Sequence, residues 1–190
     1  MIGEDASDAT GDELLARIEQ LALAAPPRAA TTRVIAIDGR AGAGKSTLAR
    51  GLAERIDAPV VQLEQLYPGW GGLQAGIDLL VEAVLIPLSA GRVAQVPRYD
   101  WLVSRFIEPW PLEHPELLIV EGVGAGARAA AAFASVLVWL ELDADLRKER
   151  ALARDGDVFR PHWERWAEQE DVLLAREQTP ARADIIVDTE

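Results

Sequence analysis

Residues 34–47 read Val-Ile-Ala-Ile-Asp-Gly-Arg-Ala-Gly-Ala-Gly-Lys-Ser-Thr. An apolar, β-branched run enters a glycine-rich turn, and a helix-forming run, Leu48 to Ile56, leaves it. Gly39, Gly44, Lys45 and Ser46 satisfy the P-loop spacing G-x-x-x-x-G-K-[ST] in the strand-turn-helix context that the motif requires. Gly39, Gly42 and Gly44 admit backbone dihedrals closed to other residues. The N–H groups along the loop, through Ala41, Ala43 and on to Thr47, can therefore turn toward phosphate oxygens at the positive end of the following helix. Lys45 then reaches the β and γ phosphates of ATP as a compact cation, and the Ser46 hydroxyl ligates the Mg²⁺ that bridges them.

The composition supports this reading. The chain has 17 arginines but only two lysines, Lys45 and Lys148. A guanidinium does not easily replace a lysine that acts as a slim point charge inside a ring of amides.

Working outward, 190 residues with 49% hydrophobic content can bury one substantial core. The formal charge of -12 argues against a nucleic-acid polymer as partner, since such binding relies on clustered cations, but a small anion held locally is compatible. With no cysteine, disulfides, thiolate metal sites and cysteine nucleophiles are excluded. Met1 to Asp12 is acidic and polar, unlike a secretory signal, and the uncharged stretch Ala129 to Leu140 falls short of the ~20 residues that span a bilayer. The expectation is a cytoplasmic protein without membrane attachment, with self-association left open.

Periodicity organises the rest. Residues 1–10 read as a tail. Leu14, Leu15, Ile18, Leu21 and Ala22 recur at helical spacing until Pro26-Pro27, so residues 1–32 form a tail and an amphipathic helix ahead of a main domain, 33–190. Strands are expected at 33–38, 60–63, 117–121, 136–140 and 183–188. The intervening helices predict an α/β fold: a parallel five-stranded sheet with helices on both faces. The long connection between the second and third strands, about 66–110, suits a substrate-binding insert, with a helical run around 77–88 and a short extended or hairpin segment at 92–99. Glu64 lies at the carboxyl end of the second strand, where ligands collect in such sheets, and is placed to activate an acceptor hydroxyl. Glu121 ends the third strand where a carboxylate supports Mg²⁺. Arg147, Arg150 and Arg154 fall on one helical face; they either pair with neighbouring acids or clamp a transferring phosphoryl group.

These pieces together resemble the P-loop nucleoside kinases of the uridine kinase-like group. The resemblance spans roughly 33–188, and the stretch Ile37 to Ser46 looks like that group's own P-loop. It implies the P-loop kinase fold, with the P-loop strand central and a helical lid, about 147–166, whose Arg150 and Arg154 close over the reaction. In the group, an acid-x-aromatic-Tyr motif carries the catalytic base; Glu64-Gln65-Leu66-Tyr67 occupies it here, with Glu where Asp is usual. Pro97-Arg98-Tyr99-Asp100-Trp101 with Arg105 resembles the nucleoside-contacting segment, without the histidine that normally follows. The resemblance thus implies Glu64, Lys45, Arg150 and Arg154 as catalytic residues and Tyr67, Tyr99, Asp100 and Arg105 as acceptor-binding ones. It further implies Ser46 and Glu121 at the metal, and ATP with Mg²⁺ as cofactors. The implied activity is transfer of the γ-phosphoryl group to a hydroxyl, most simply of a nucleoside.

Three alternatives are kept. One is a kinase of another metabolite, and the second is an ATP-binding module with little or no turnover. The third is a dinucleotide site at Gly122-x-Gly124-x-x-Ala127, which has an acid, Glu141, 19 residues beyond Gly122 but only a very short helix after it.

Overall fold

The computed structural model describes residues 11–189. The expected tail, 1–10, lies outside them. A helix, α1 (Gly11–Ala24), precedes the first strand, β1 (Arg33–Gly39), and the P-loop leads into α2 (Lys45–Ile56). The short strand β2 (Val60–Gln62) follows, and β5 (Leu117–Glu121), β6 (Ala134–Glu141) and β7 (Ile185–Asp188) complete a five-stranded sheet in the order β2-β5-β1-β6-β7. All its pairings are parallel, and β1 lies at the centre, in register with both β5 and β6.

The residues of β1 show why the sheet is covered on both faces. Ile35 and Ile37 point into a core with Ile18 of α1 and Ala49 and Leu52 of α2. Val34 and Ala36, one step out of phase, join the opposite core. A strand buried on both faces reads as a continuous apolar run, which is what residues 34–37 are. Arg55 of α2 bonds Asp12 at 2.8 Å and Glu19 at 2.6 Å, tying α1 to the sheet-covering layer.

The insert between β2 and β5 builds the second layer. Helix α3 (Leu73–Leu79) runs through a π-helical turn at Leu80–Leu85 into α4 (Ile86–Ser89). Within that turn Ile86 N–H donates to the Val81 carbonyl, five residues back, immediately before Pro87, which has no N–H to give. A two-stranded antiparallel hairpin, β3 (Ala94–Asp100) and β4 (Arg105–Leu112), follows. The sequence foresaw one short extended or hairpin segment here; the second strand carries Pro109 and Pro111, which an edge strand tolerates.

After β5 comes the four-residue α5 (Arg128–Ala131), then α6 (Ala144–Phe159) and α7 (Trp163–Glu177). Asp143 caps α6, its carboxylate accepting from the Asp145 and Leu146 N–H groups at 2.8 and 3.3 Å. Gly156, at φ 57 and ψ −136, kinks α6 rather than ending it. The helical turns resume to Phe159, and α7 ends at Gln178, whose φ is 50.

Candidate active site

Two adjoining cavities meet at the P-loop. The larger, about 360 Å³, is bounded by Gly42, Lys45 and Ser46 on one side and Glu64, Glu121 and Arg154 around it. The smaller, about 230 Å³, lies between Gly44, Lys45, Ser46 and Thr47 and the α6 residues Arg150 and Arg154. Gly42, Lys45, Ser46 and Arg154 border both. A phosphate chain entering through the smaller cavity would thus present its terminal group to the larger.

The loop is braced by contacts that the motif alone did not reveal. Glu170 of α7, only 1% exposed, reaches across to the P-loop. Its carboxylate accepts from Ala41 N–H at 2.7 Å, Trp166 Nε1 at 3.0 Å and Arg40 Nε at 3.0 Å. Arg40 also pairs with Asp171 at 2.6 Å. Ala41 N–H is therefore occupied within the protein, so that of the named loop residues Ala41 borders the cavity without presenting its own amide to a ligand. Arg147 is buried too: its guanidinium donates to the Leu142 carbonyl at 3.1 Å and the Ala41 carbonyl at 3.4 Å. The expected three-arginine face therefore divides. Arg147 braces the loop, Arg150 bonds the Thr189 carbonyl at 3.0 Å beside the smaller cavity, and Arg154 alone of the three borders both cavities. Gly42 shows how close α6 comes: its φ is +85, and a Cβ there would overlap the Arg147 carbonyl.

Lys45 is 8% exposed and donates to the Arg40 carbonyl at 2.9 Å. Burial pulls its ammonium below the ordinary lysine range, against the opposing pull of Glu121, Glu170 and Asp38, so an arriving phosphate would favour its charged form. Ser46 Oγ donates to Glu121 Oε1 at 2.9 Å. A hydroxyl and a carboxylate this close form a hard oxygen pair suited to Mg²⁺, which takes one or two protein oxygens and fills its remaining positions with phosphates and water.

Glu64 sits on the turn Leu63–Gln65 that follows β2 and borders the larger cavity. Crowding by protein raises its carboxyl above the usual range; Arg154 and Lys45 oppose this, and Asp155 and Glu121 reinforce it. Arg154 is held by its neighbour Asp155 through two bonds, 2.8 and 2.7 Å. Tyr67 borders the cavity with its ring, but its hydroxyl donates to the Val123 carbonyl at 2.8 Å. Tyr99, Asp100 and Arg105 are not brought to the cavity wall. They sit near the tip of the β3–β4 hairpin, where Asp100 accepts from the Leu102 and Val103 N–H groups at 2.9 and 3.2 Å, and Tyr99 packs edge-on against Trp101 and Phe106. Trp101 is the hairpin residue that reaches the cavity, its Nε1 donating to the Glu64 carbonyl at 3.0 Å.

The glycine run after β5 binds an anion from within the chain. Asp38, buried at the end of β1, accepts from Gly39 N–H at 2.7 Å and from Gly124 and Gly126 N–H at 2.9 Å each. Burial pushes its carboxyl up while these amides and Lys45 pull it down. The turn that imitates a dinucleotide fingerprint is thus filled by the Asp38 side chain.

Comparison with solved structures is decisive for the architecture. A Bacillus stearothermophilus protein described as a possible uridine kinase superposes with a TM-score of 0.65 at 22% identity, covering 93% of this chain and 100% of its own. A Silicibacter sp. TM1040 protein, provisionally described as a fructose transport system kinase, gives 0.64 at 21% identity, covering 92% and 98%. The fold is that of the P-loop kinases. No family model matches the chain. Among curated proteins, a cytidylate kinase from Serratia proteamaculans is 32% identical over 124 residues, which is 64% of this chain and 51% of that enzyme. The chain spans about half or less of the length of the curated relatives it matches. Within the P-loop kinase fold, the parallel strands β1, β2 and β5 bring Lys45, Glu64 and Glu121 to one end of the sheet, where α/β folds place their ligands. No described helix is long and apolar enough to cross a membrane.

Proposed function

We propose that the chain is an ATP-dependent kinase that transfers the γ-phosphoryl group to a hydroxyl of a small molecule, most simply a nucleoside. The observation that carries this is the shared wall. Lys45, Ser46 and Arg154 border both cavities, so a donor on one side and an acceptor on the other would meet at these groups, with Glu64 on the wall of the larger one.

In this reading the loop amides and Lys45 hold the triphosphate, and Ser46 with Glu121 would hold Mg²⁺, which would supply positive charge to offset that of the phosphates. Glu64 takes the proton from the acceptor hydroxyl as the new oxygen–phosphorus bond forms, while the bond from γ-phosphorus to the bridging oxygen breaks and ADP leaves. Burial serves Glu64 here, because a raised carboxyl is the stronger base when ionised. Arg154, released from Asp155, stabilises the charge spread over the equatorial oxygens. The uridine kinase and cytidylate kinase descriptions of similar proteins support a nucleoside or nucleotide acceptor, and the provisional fructose transport system kinase description of another is in keeping with one fold serving different acceptors.

The test is Mg²⁺-dependent ADP formation with and without a pooled acceptor panel, using Lys45→Ala as the blank. ADP that rises only with acceptor supports the kinase. ATP binding without acceptor-dependent ADP supports the binding-only alternative.

A further inference from the structure

The larger cavity is asymmetric, and this bears on which acceptor it takes. Its polar end is the phosphoryl-transfer end just described. Its other wall is ring-lined: Trp70, Trp101, Phe159 and Trp166 border it, with Val123 and Val158 beside them. Trp70 anchors that wall, lying stacked with Phe159 at 5.0 Å and 12° and with His162 at 4.7 Å and 14°, and tilted against Trp101 at 4.6 Å.

Two features of this wall restrict the acceptor. First, three of its four polar tips are spent: Trp101 Nε1 goes to the Glu64 carbonyl, Trp166 Nε1 to Glu170, and the Tyr67 hydroxyl to the Val123 carbonyl, which leaves the Trp70 indole N–H. The wall thus offers a ligand flat apolar surface and few donors that could read the edge of a ring or a row of hydroxyls. Second, among the described residues the cations bordering this cavity are Lys45 and Arg154, and both also border the donor cavity. Neither is left for a phosphate already carried by the acceptor, and the further charges at that end are Glu64, Glu121 and Asp155, which would repel one.

Building on the kinase reading, we propose that the acceptor is a phosphate-free alcohol carrying a flat aromatic or heteroaromatic ring, selected by the ring's face rather than its edge. Acceptors that are already phosphorylated, and ringless polyols, are disfavoured. Nucleosides fit, with little discrimination between pyrimidine and purine edges, whereas a nucleoside monophosphate, the acceptor of the cytidylate kinases, does not.

The experiment separates this from the kinase reading by measuring binding as well as turnover. Uridine, cytidine, pyridoxine, cytidine monophosphate and fructose are each titrated against the full chain with a non-hydrolysable ATP analogue and Mg²⁺. Tryptophan fluorescence is the readout for ring compounds and calorimetry the readout for all five. Uridine, cytidine and pyridoxine are expected to bind within about tenfold of one another and at least tenfold tighter than cytidine monophosphate or fructose. Trp101→Leu and Trp70→Leu should each weaken the ring compounds about tenfold or more, the loss expected for a stacking surface, without changing ATP-analogue affinity. If either variant fails to fold, Trp101→Phe, which keeps a ring, must retain binding. Equal or tighter binding of cytidine monophosphate or fructose overturns the proposal even if ADP forms. Failure of any acceptor to raise ADP, with ring binding intact, overturns the kinase reading and leaves the ring site standing.

Discussion

Glu170 sets the sharpest expectation, because a buried carboxylate on α7 holds one P-loop amide, one guanidinium and one indole at once. Glu170→Gln keeps the shape and one acceptor oxygen. That oxygen can stay on Ala41 N–H and Trp166 Nε1, which share Oε1, but the new amide group then faces Arg40 donor to donor. Arg40 retains Asp171 at 2.6 Å, so the loss is partial. Charge-assisted hydrogen bonds contribute about 1.5–3 kcal/mol and neutral ones about 1, which puts Glu170→Gln at about 1–2 kcal/mol. Glu170→Ala strands the Ala41 amide and the indole in the protein interior and costs about 3–5 kcal/mol. At roughly 2–4 °C per kcal/mol for a chain of this size, the midpoints fall by about 2–8 °C and by more than about 6 °C. Thermal melts of both variants, with the exposed Glu168→Ala on the same helix as control, check the stability. Calorimetric ATP titration checks the loop, and Glu170→Ala should lose affinity well beyond any loss in Glu170→Gln. If Glu170→Ala melts and binds ATP like Glu168→Ala, the claim that α7 positions the P-loop is wrong.

The remaining expectations concern single groups. Because burial raises the Glu64 carboxyl, and a base works only when ionised, kcat/KM should fall on acidification at a pH above the ordinary glutamate range; Glu64→Gln should lose that limb together with ~10²–10⁴ in rate. Arg154 favours the ionised form of Glu64, so Arg154→Ala should move the same limb to still higher pH besides slowing the reaction, which a pH–rate profile reads directly. Gly42→Ala, which places a Cβ against the Arg147 carbonyl at a φ of +85, should cost about 1–3 kcal/mol and weaken ATP binding in calorimetry. Asp38→Asn turns an amide group toward one of three backbone donors and should destabilise by about 1–3 kcal/mol in denaturant titration, without directly touching either cavity.

How much of this the sequence revealed depends on where each group's partner lies along the chain. Lys45 and Ser46 were legible because the loop and its following helix are contiguous. Glu121 was legible because a carboxylate ending an apolar strand has one place to be in a parallel sheet, and the structure puts it on Ser46. The separate place of Arg147 was not legible, because helical spacing aligns it with Arg150 and Arg154, and only the packing of α6 on Gly42 separates them. Glu170 and Glu177 went unnoticed, since glutamates on an amphipathic helix usually face water. A signal existed, however: Trp163, Trp166, Glu170, Leu173 and Glu177 fall at alternating steps of three and four, so both acids lie in the buried stripe of α7. Glu177 uses that position to accept from the Arg128 N–H at 2.7 Å, at the start of α5. The β4 strand was hidden by its prolines, and with it the hairpin geometry that sends Trp101, rather than Tyr99 or Asp100, to the cavity.

The central claim, that a donor and an acceptor meet across Lys45 and Ser46 with Glu64 as base, is tested most directly by following the γ-phosphorus itself. Phosphorus NMR of the chain with ATP, Mg²⁺ and a nucleoside should show the γ signal replaced by ADP and a phosphomonoester in equal amounts, and Glu64→Gln should slow this while still binding ATP. Inorganic phosphate in place of the monoester, or an unchanged spectrum from protein shown to bind both ATP and the nucleoside, would contradict it.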